Sequence, residues 1–240
     1  GVTGHSVESF PQAFEKIVDH GHEIAIHGYS HENPLAMTRE QESAVLDKTI
    51  EVISKFTGQK PVGHMAPWWE LSPNTIDLLK ERGIKYDSSL MEDDYHPYWL
   101  REGDSWTSID YSQEAKTWMK PWVAGKEVEL IELPASWWLD DAPPTMFVKA
   151  FPNSHGWVTG QDLGKIWTDQ FDWVYRNHNY AIFLCTIHPD SAGKPHVLMM
   201  LERLIDHMMT HTGVRMVTME EMAEDFSRRC PFGSGKDPSN

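Results

Sequence analysis

The chain has 240 residues, 40% of them hydrophobic, and a formal net charge of −15 with its 13 histidines neutral. That length supports one sizeable core, and so acidic a surface repels phosphate backbones, which argues against nucleic acid as a partner. No stretch approaches the ~20 apolar residues of a membrane-spanning helix and no cationic-then-apolar leader opens the sequence, so a cytoplasmic protein without a membrane partner is expected.

In chain order, Gly1-Val2-Thr3-Gly4 reads as the end of a strand, and residues 10–20 as a helix stopped by Gly21. Residues 23–26 form a short apolar strand that runs into His27-Gly28-Tyr29-Ser30-His31, a loop by its Gly, Ser, Asn33 and Pro34 content. Thr38 and Gln41 make a capping box for a helix whose stripe is Leu46, Ile50, Ile53 and Phe56, ended by Gly58. Residues 61–66 form a strand leading to Pro67-Trp68-Trp69; Ser72-Pro73 starts a helix closed by Gly83, and residues 84–86 are a strand.

Residues 88–126, rich in Asp, Trp, Tyr and Pro without a clean period, read as a long functional loop or lid. A strand at 128–133 precedes a second irregular stretch, 134–160, carrying Trp137, Trp138, Asp140 and Asp141. A helix at 162–177, a buried strand at 180–187 ending in His188-Pro189, a helix at 195–211, a strand at 214–217 and a helix at 219–228 complete the chain. Cys185 lies in the apolar run before His188 and is expected in the core; with Cys230 far away there is no C-x-x-C pair for zinc or redox chemistry. Strand–helix alternation predicts an α/β fold, a distorted and incomplete (β/α) barrel of about seven parallel strands over residues 1–226, with a flexible tail at 227–240.

In such barrels the chemistry collects on loops after the C-terminal ends of strands. Three loops qualify: His27/His31, Pro67-Trp68-Trp69 and His188. Two imidazoles four residues apart can reach one ion at ~2.0–2.1 Å each. The spacing also arises by chance, but delivery by a buried strand and the freedom of Gly28 favour a ligand pair. A hydrolytic zinc site adds a third ligand and a water, lowers that water's pKa toward ~7 and polarises the carbonyl under attack. His188 could donate a proton to a leaving nitrogen. His22, His64, His96, His155 and His196 are not expected to be ligands. Several of the eleven tryptophans fall in loops, which suits a pocket with flat aromatic walls.

At these residues the chain resembles the polysaccharide deacetylase (NodB-homology) family. Gly21-His22-Glu23-Ile24-Ala25-Ile26-His27-Gly28-Tyr29-Ser30-His31 is similar to the family's GHE-I-x-x-H-x-x-x-H segment, Ala66-Pro67-Trp68-Trp69 to its R-x-P-aromatic groove motif, and Thr186-Ile187-His188-Pro189 to its late histidine motif. The resemblance covers nearly all of residues 1–226. It is nearest the group that holds allantoinase-like proteins, cyclic imide hydrolases and a peptidoglycan-deacetylase-like branch. It implies a NodB-type barrel and a metal-dependent hydrolase of non-peptide C–N bonds. His27 and His31 would hold one divalent ion, Zn2+ by expectation, with His188 as general acid and Pro67, Trp68, Trp69, Trp137, Asp140 and Asp141 on the substrate. That substrate is a glycan or a small molecule: an N-acetylated sugar, or alternatively a cyclic imide or ureide opened by hydrolysis. Self-association into a homo-oligomer is left open.

Two departures stand out. The family's Asp-Asp motif, which supplies the general base and the third ligand, is not found, as though the first βα unit were missing. Met65 stands where the family's groove motif usually has Arg. Asp140, Asp141 and Glu70 are the substitutes on paper, and a catalytically dead, glycan-binding barrel is the rival reading.

Overall fold

The computed structural model describes residues 1–147 and 158–238; His155, named above as a loop histidine, lies outside them. The alternation of strands and helices is realised around one twisted sheet. Strands β1 (Gly63–His64), β2 (Tyr86–Asp87) and β4 (Lys126–Glu132) run parallel in that order, and β3 (Tyr98–Glu102) joins β4 antiparallel. On the other side of β1 the parallel order continues through single bridges, Ile26 to His64 and Val2 to Ile26. A further parallel bridge joins Asp140 to Thr186. Among the described residues the sheet does not close.

The helices are α1 (Gly4–Ser9), α2 (Pro11–Asp19), α3 (Arg39–Thr57), α4 (Thr75–Glu81), α5 (Ala142–Thr145), α6 (Gly160–Asn177), α7 (Pro189–Ala192), α8 (Pro195–Met209) and α9 (Met219–Arg229). The capping box of α3 forms as expected, and Gly58 takes the left-handed conformation that ends it (φ 75°).

Strand β4 shows how the core is divided. Leu130 packs with Ile24, Ile26, Leu46, Ile53, Leu78 and Leu79, under α3 and α4. Its neighbour Ile131 faces the other way, against Tyr86, Leu133, Ala223 and Phe226 of the α9 side. Successive residues of a strand point to opposite faces, so this central strand must be apolar at both. A third cluster joins α6 and α8 through Leu163, Trp167, Phe171, Met200 and Leu204, with Leu139 beneath them.

Several expectations need correction. The strands expected at 23–26 and 180–187 form only isolated bridges, Ile26 with Val2 and His64 and Thr186 with Asp140, and 214–217 is not a strand. Cys185 is partly rather than fully buried, packed against the α6–α8 cluster. Burial pushes its thiol up to about 12, so it stays an uncharged core group. Residues 88–126 are not wholly irregular, since β3 forms there around the buried Leu100. Its aromatic content suits a pleated, half-buried edge. Residues 227–230 are held in place: α9 continues to Arg229, Cys230 is buried, and the Trp99 indole N–H donates to the Cys230 carbonyl at 3.0 Å.

Candidate active site

The loop after Ile26 is held by backbone groups. The His27 N–H donates to the Val2 carbonyl at 3.0 Å, and its ring Nδ1 lies 2.8 Å from the Met65 carbonyl oxygen. A carbonyl can only accept, so Nδ1 carries the proton and Nε2 keeps its lone pair. Gly28 has φ +66°, and a Cβ there would come within 3.0 Å of both Pro67 and Glu32. The Glu32 carboxylate accepts from the Tyr29 N–H at 2.9 Å and the Ser30 N–H at 2.8 Å, which folds the loop back on itself. His31 then sits at φ 67°, a left-handed conformation that costs a non-glycine residue ~1–3 kcal/mol. The outcome is two imidazoles with ring centres 4.9 Å apart, edge to face. Burial lowers the His27 pKa to about 3, keeping the ring neutral. His31, the more exposed ring, is also lowered, by partial desolvation first and then by the nearby charge of His188.

The second loop leaves β1 at Met65. The Ala66 N–H is anchored to the Ser89 hydroxyl at 2.8 Å. Trp68 (φ 64°) and Trp69 (φ 53°) are both left-handed, two consecutive strained residues at the mouth. Trp68, 52% exposed, meets His31 edge to face at 5.4 Å, and Trp69 lies 4.5 Å from Trp137, itself 50% exposed. Trp68 thus stands beside the histidine pair, and Trp69, next to it in the loop, pairs with Trp137. Pro67 is a correction: it is buried against Gly28 and shapes the loop instead of facing a ligand. Glu70 accepts from the Asn33 side chain at 2.6 Å, tying this loop to the one before it.

The third element is a carboxylate–histidine pair. His188 caps α7, and its Nδ1 lies 2.7 Å from Asp141 Oδ1. Asp141 also accepts the His188 backbone N–H at 3.0 Å and the Ser191 hydroxyl at 2.6 Å. Asp140 accepts the Ala142 N–H at 2.6 Å and stands 3.7 Å from His188 Nδ1. The Asp141 hydrogen bond holds the His188 pKa above its ordinary value, reinforced by the charges of Asp140, Asp141 and Asp190 against desolvation. Burial raises the Asp140 pKa. This corrects the expectation for both carboxylates. Asp141 is 0% and Asp140 4% exposed, so they lie under His188 rather than in contact with a substrate.

Beneath the mouth lies His64. It is buried and paired with Asp87 at 2.6 Å, and Ser89, which anchors Ala66, also donates to Asp87 at 3.0 Å. Glu132 accepts the Ser89 and Leu90 N–H groups at 2.7 and 2.8 Å. Burial and then the Asp87 charge push its carboxyl well above the usual range. Glu32, Ser89, Ser191 and the Met65 carbonyl were not singled out from the sequence. Ser191, three residues after His188 at a helix start, was the one with a readable signal.

The donor chemistry fits a borderline divalent ion such as zinc, which takes neutral imidazole nitrogens. His27 offers Nε2, with its other ring nitrogen already fixed. Among the described residues no third carboxylate, thiol or imidazole completes a cluster with this pair. Asp140, Asp141 and His188 also lie within ligand distance of one another. The Asp141 oxygens are already taken by one hydroxyl and two N–H groups, so a hydrogen-bonded dyad describes that trio better than an ion site.

Residues 2–86 match the family described as polysaccharide deacetylase. Over 228 residues the chain is 55% identical to a peptidoglycan deacetylase of Helicobacter pylori, a match spanning 95% of this chain and 78% of that protein. The chain belongs to the polysaccharide deacetylase family. This deacetylase is also 36% identical over 233 residues to the peptidoglycan deacetylase-like protein FGM2 of Gibberella zeae, covering 94% of the chain and 69% of that protein. Among solved structures it superposes on a probable polysaccharide deacetylase of Pseudomonas aeruginosa with a TM-score of 0.74 and 25% identity, covering 96% of this chain and 67% of that one. The Puue allantoinase superposes with a TM-score of 0.73 over 96% of this chain and 67% of that one, but at 22% identity this shows a shared fold alone. The enzyme is a hydrolase of amide C–N bonds of the polysaccharide deacetylase type, a metal-dependent family, and it acts on an N-acetylated sugar. The ring-opening alternative gains no support from the comparisons.

Proposed function

We propose that this deacetylase removes acetyl groups from N-acetylated sugars of peptidoglycan, with His27 and His31 holding a zinc ion and His188 serving as general acid. The likeness to the H. pylori and G. zeae proteins supports that substrate. The observation that carries the chemistry is the opposite tuning of neighbouring imidazoles: burial lowers the pKa of the His27–His31 pair, while the Asp141 carboxylate raises that of His188. Environments that push titratable groups apart mark an acid and its counterparts.

A bound divalent ion supplies Lewis-acid polarisation of the carbonyl and a more acidic water. The described residues bind the sugar, hold the ion and protonate the leaving group. Trp68, Trp69 and Trp137 offer flat faces to a sugar ring and exclude water. His27 and His31 contribute lone pairs and no protons. His188 keeps its Nδ1 proton on Asp141 and gives the Nε2 proton to the departing amine, so the leaving group is a neutral sugar amine. Asp141 is a positioning residue that fixes the tautomer and raises the proton affinity of His188.

Acetate release from N-acetylated peptidoglycan fragments tests the reading. Release with wild type and loss with His188→Ala at unchanged metal content are expected. A folded, metal-loaded wild type that binds the glycan and releases no acetate would instead favour the glycan-binding barrel.

A further inference from the structure

Helices α6 and α8, which flank the His188 segment in the chain, lie side by side and parallel. Gly160 sits against the backbone of His196, and Gly164 against Met200; a Cβ on either would come within 2.7 or 2.6 Å of its neighbour. The two N-terminal ends are therefore in close contact through glycine. At the C-terminal ends the pair is joined by polar groups. Asp172 of α6 lies 2.6 Å from His207 Nε2 of α8, and its same oxygen is 4.0 Å from His211 Nε2, just past the helix end.

We infer that Asp172, His207 and His211 form a second divalent-cation site that clips α6 to α8. Three observations on this chain point the same way. One ligand atom from each of the three residues lies within 4.8 Å of the others, so shifts of about an ångström bring all three to the ~2.0–2.2 Å bonds zinc requires. His207, in the last turn of α8, and His211, just past its end, have ring centres 4.8 Å from each other. The free nitrogen of His211 is already chosen: Nδ1 donates to the His207 carbonyl at 2.9 Å, which leaves the Nε2 lone pair on the Asp172 side. Its ring is also braced edge to face by Tyr175 at 4.6 Å and Phe171 at 5.0 Å. The C-terminal end of α8 carries the negative pole of the helix dipole, which favours a cation there. A groove of about 410 Å3 between the helices includes His207 in its lining.

In the metal-free state His207 donates its Nε2 proton to Asp172. On binding, that proton moves to Nδ1 or to solvent and the carboxylate turns from acceptor to ligand. With three protein ligands and a water, the site resembles an open zinc centre in composition, but its place on an outer helix pair, away from His188, suits a structural clip.

The test is Zn2+ binding to chelator-stripped protein, read as stoichiometry by calorimetry, with thermal melting as a second readout. The His27→Ala/His31→Ala protein is expected to keep one equivalent, and adding His207→Gln/His211→Gln should remove it or weaken it at least tenfold. In the wild-type background, His207→Gln/His211→Gln should lose one equivalent, lose the Zn2+-induced rise in melting temperature and keep acetate release. Asp172→Asn should weaken the same equivalent. Equal Zn2+ uptake by wild type and folded His207→Gln/His211→Gln overturns this inference. Failure of the mouth assignment has a different signature: equal uptake by wild type and His27→Ala/His31→Ala.

Discussion

His27 and His188 stand at the same mouth, and the chain treats them in opposite ways. His27 is fastened to a carbonyl, in a buried setting that takes its pKa to about 3. His188 is fastened to a carboxylate that holds its pKa up. Both rings have Nδ1 occupied and so act through Nε2. A neutral acceptor plus desolvation makes a lone-pair donor, whereas a buried anion makes a proton donor. The division of labour follows from what lies behind each ring, not from the ring itself.

The largest break in that comparison is removal of a lone-pair donor. His27→Ala or His31→Ala is expected to abolish metal retention at the mouth and turnover with it, with an unchanged circular dichroism spectrum. Stoichiometric metal still at the mouth in either variant would remove it from the ligand set. His188→Ala comes next. It should lower kcat by ~10²–10⁴-fold, the usual worth of a general acid, with metal content intact. Parallel loss of metal would make His188 a ligand. A smaller effect is expected at the tryptophans: Trp68→Ala should raise KM several-fold with kcat nearly unchanged, since stacking contributes ~0.5–1.5 kcal/mol. Equal loss in both parameters would mean that Trp68 sets the histidine geometry instead.

A further effect is on stability and has a definite sign. In the metal-free protein the folded His27 resists protonation down to about pH 3, while the unfolded chain takes up the proton near 6.5. Between those values the unfolded state binds more protons, so stability falls as pH falls. His27→Gln should flatten that part of the urea-midpoint curve; an unaltered slope would mean that the acid sensitivity belongs to other groups.

Much of this was legible in the sequence where a residue's neighbours in the chain are also its neighbours in space. The His27–His31 loop is of this kind, because Gly28 and Glu32 shape it locally. The capping box of α3 also follows from local pattern. What was not legible depends on partners far along the chain. A carboxylate such as Asp141 reads the same whether it faces a sugar or supports a histidine 47 residues away. Short apolar runs such as 23–26 and 180–187 show that a segment is buried and extended, but ladder length depends on the neighbouring segment. β3 was missed because its partner, β4, is what makes that aromatic segment a strand. Pro67 was assigned to the groove by motif and lies beneath it, pressed on Gly28.

The measurement that bears most directly on the opposed tuning is the pH profile of kcat/KM for acetate release by Asp141→Asn beside wild type, with metal content determined on the same samples. With Asp141 in place His188 stays protonated to a higher pH, so the alkaline limb of wild type should lie above the ordinary histidine range. Removing the charge should move that limb to lower pH and slow the reaction ~10–100-fold at unchanged metal content. A limb that stays where it is in the variant would contradict the assignment of His188 as the carboxylate-tuned acid.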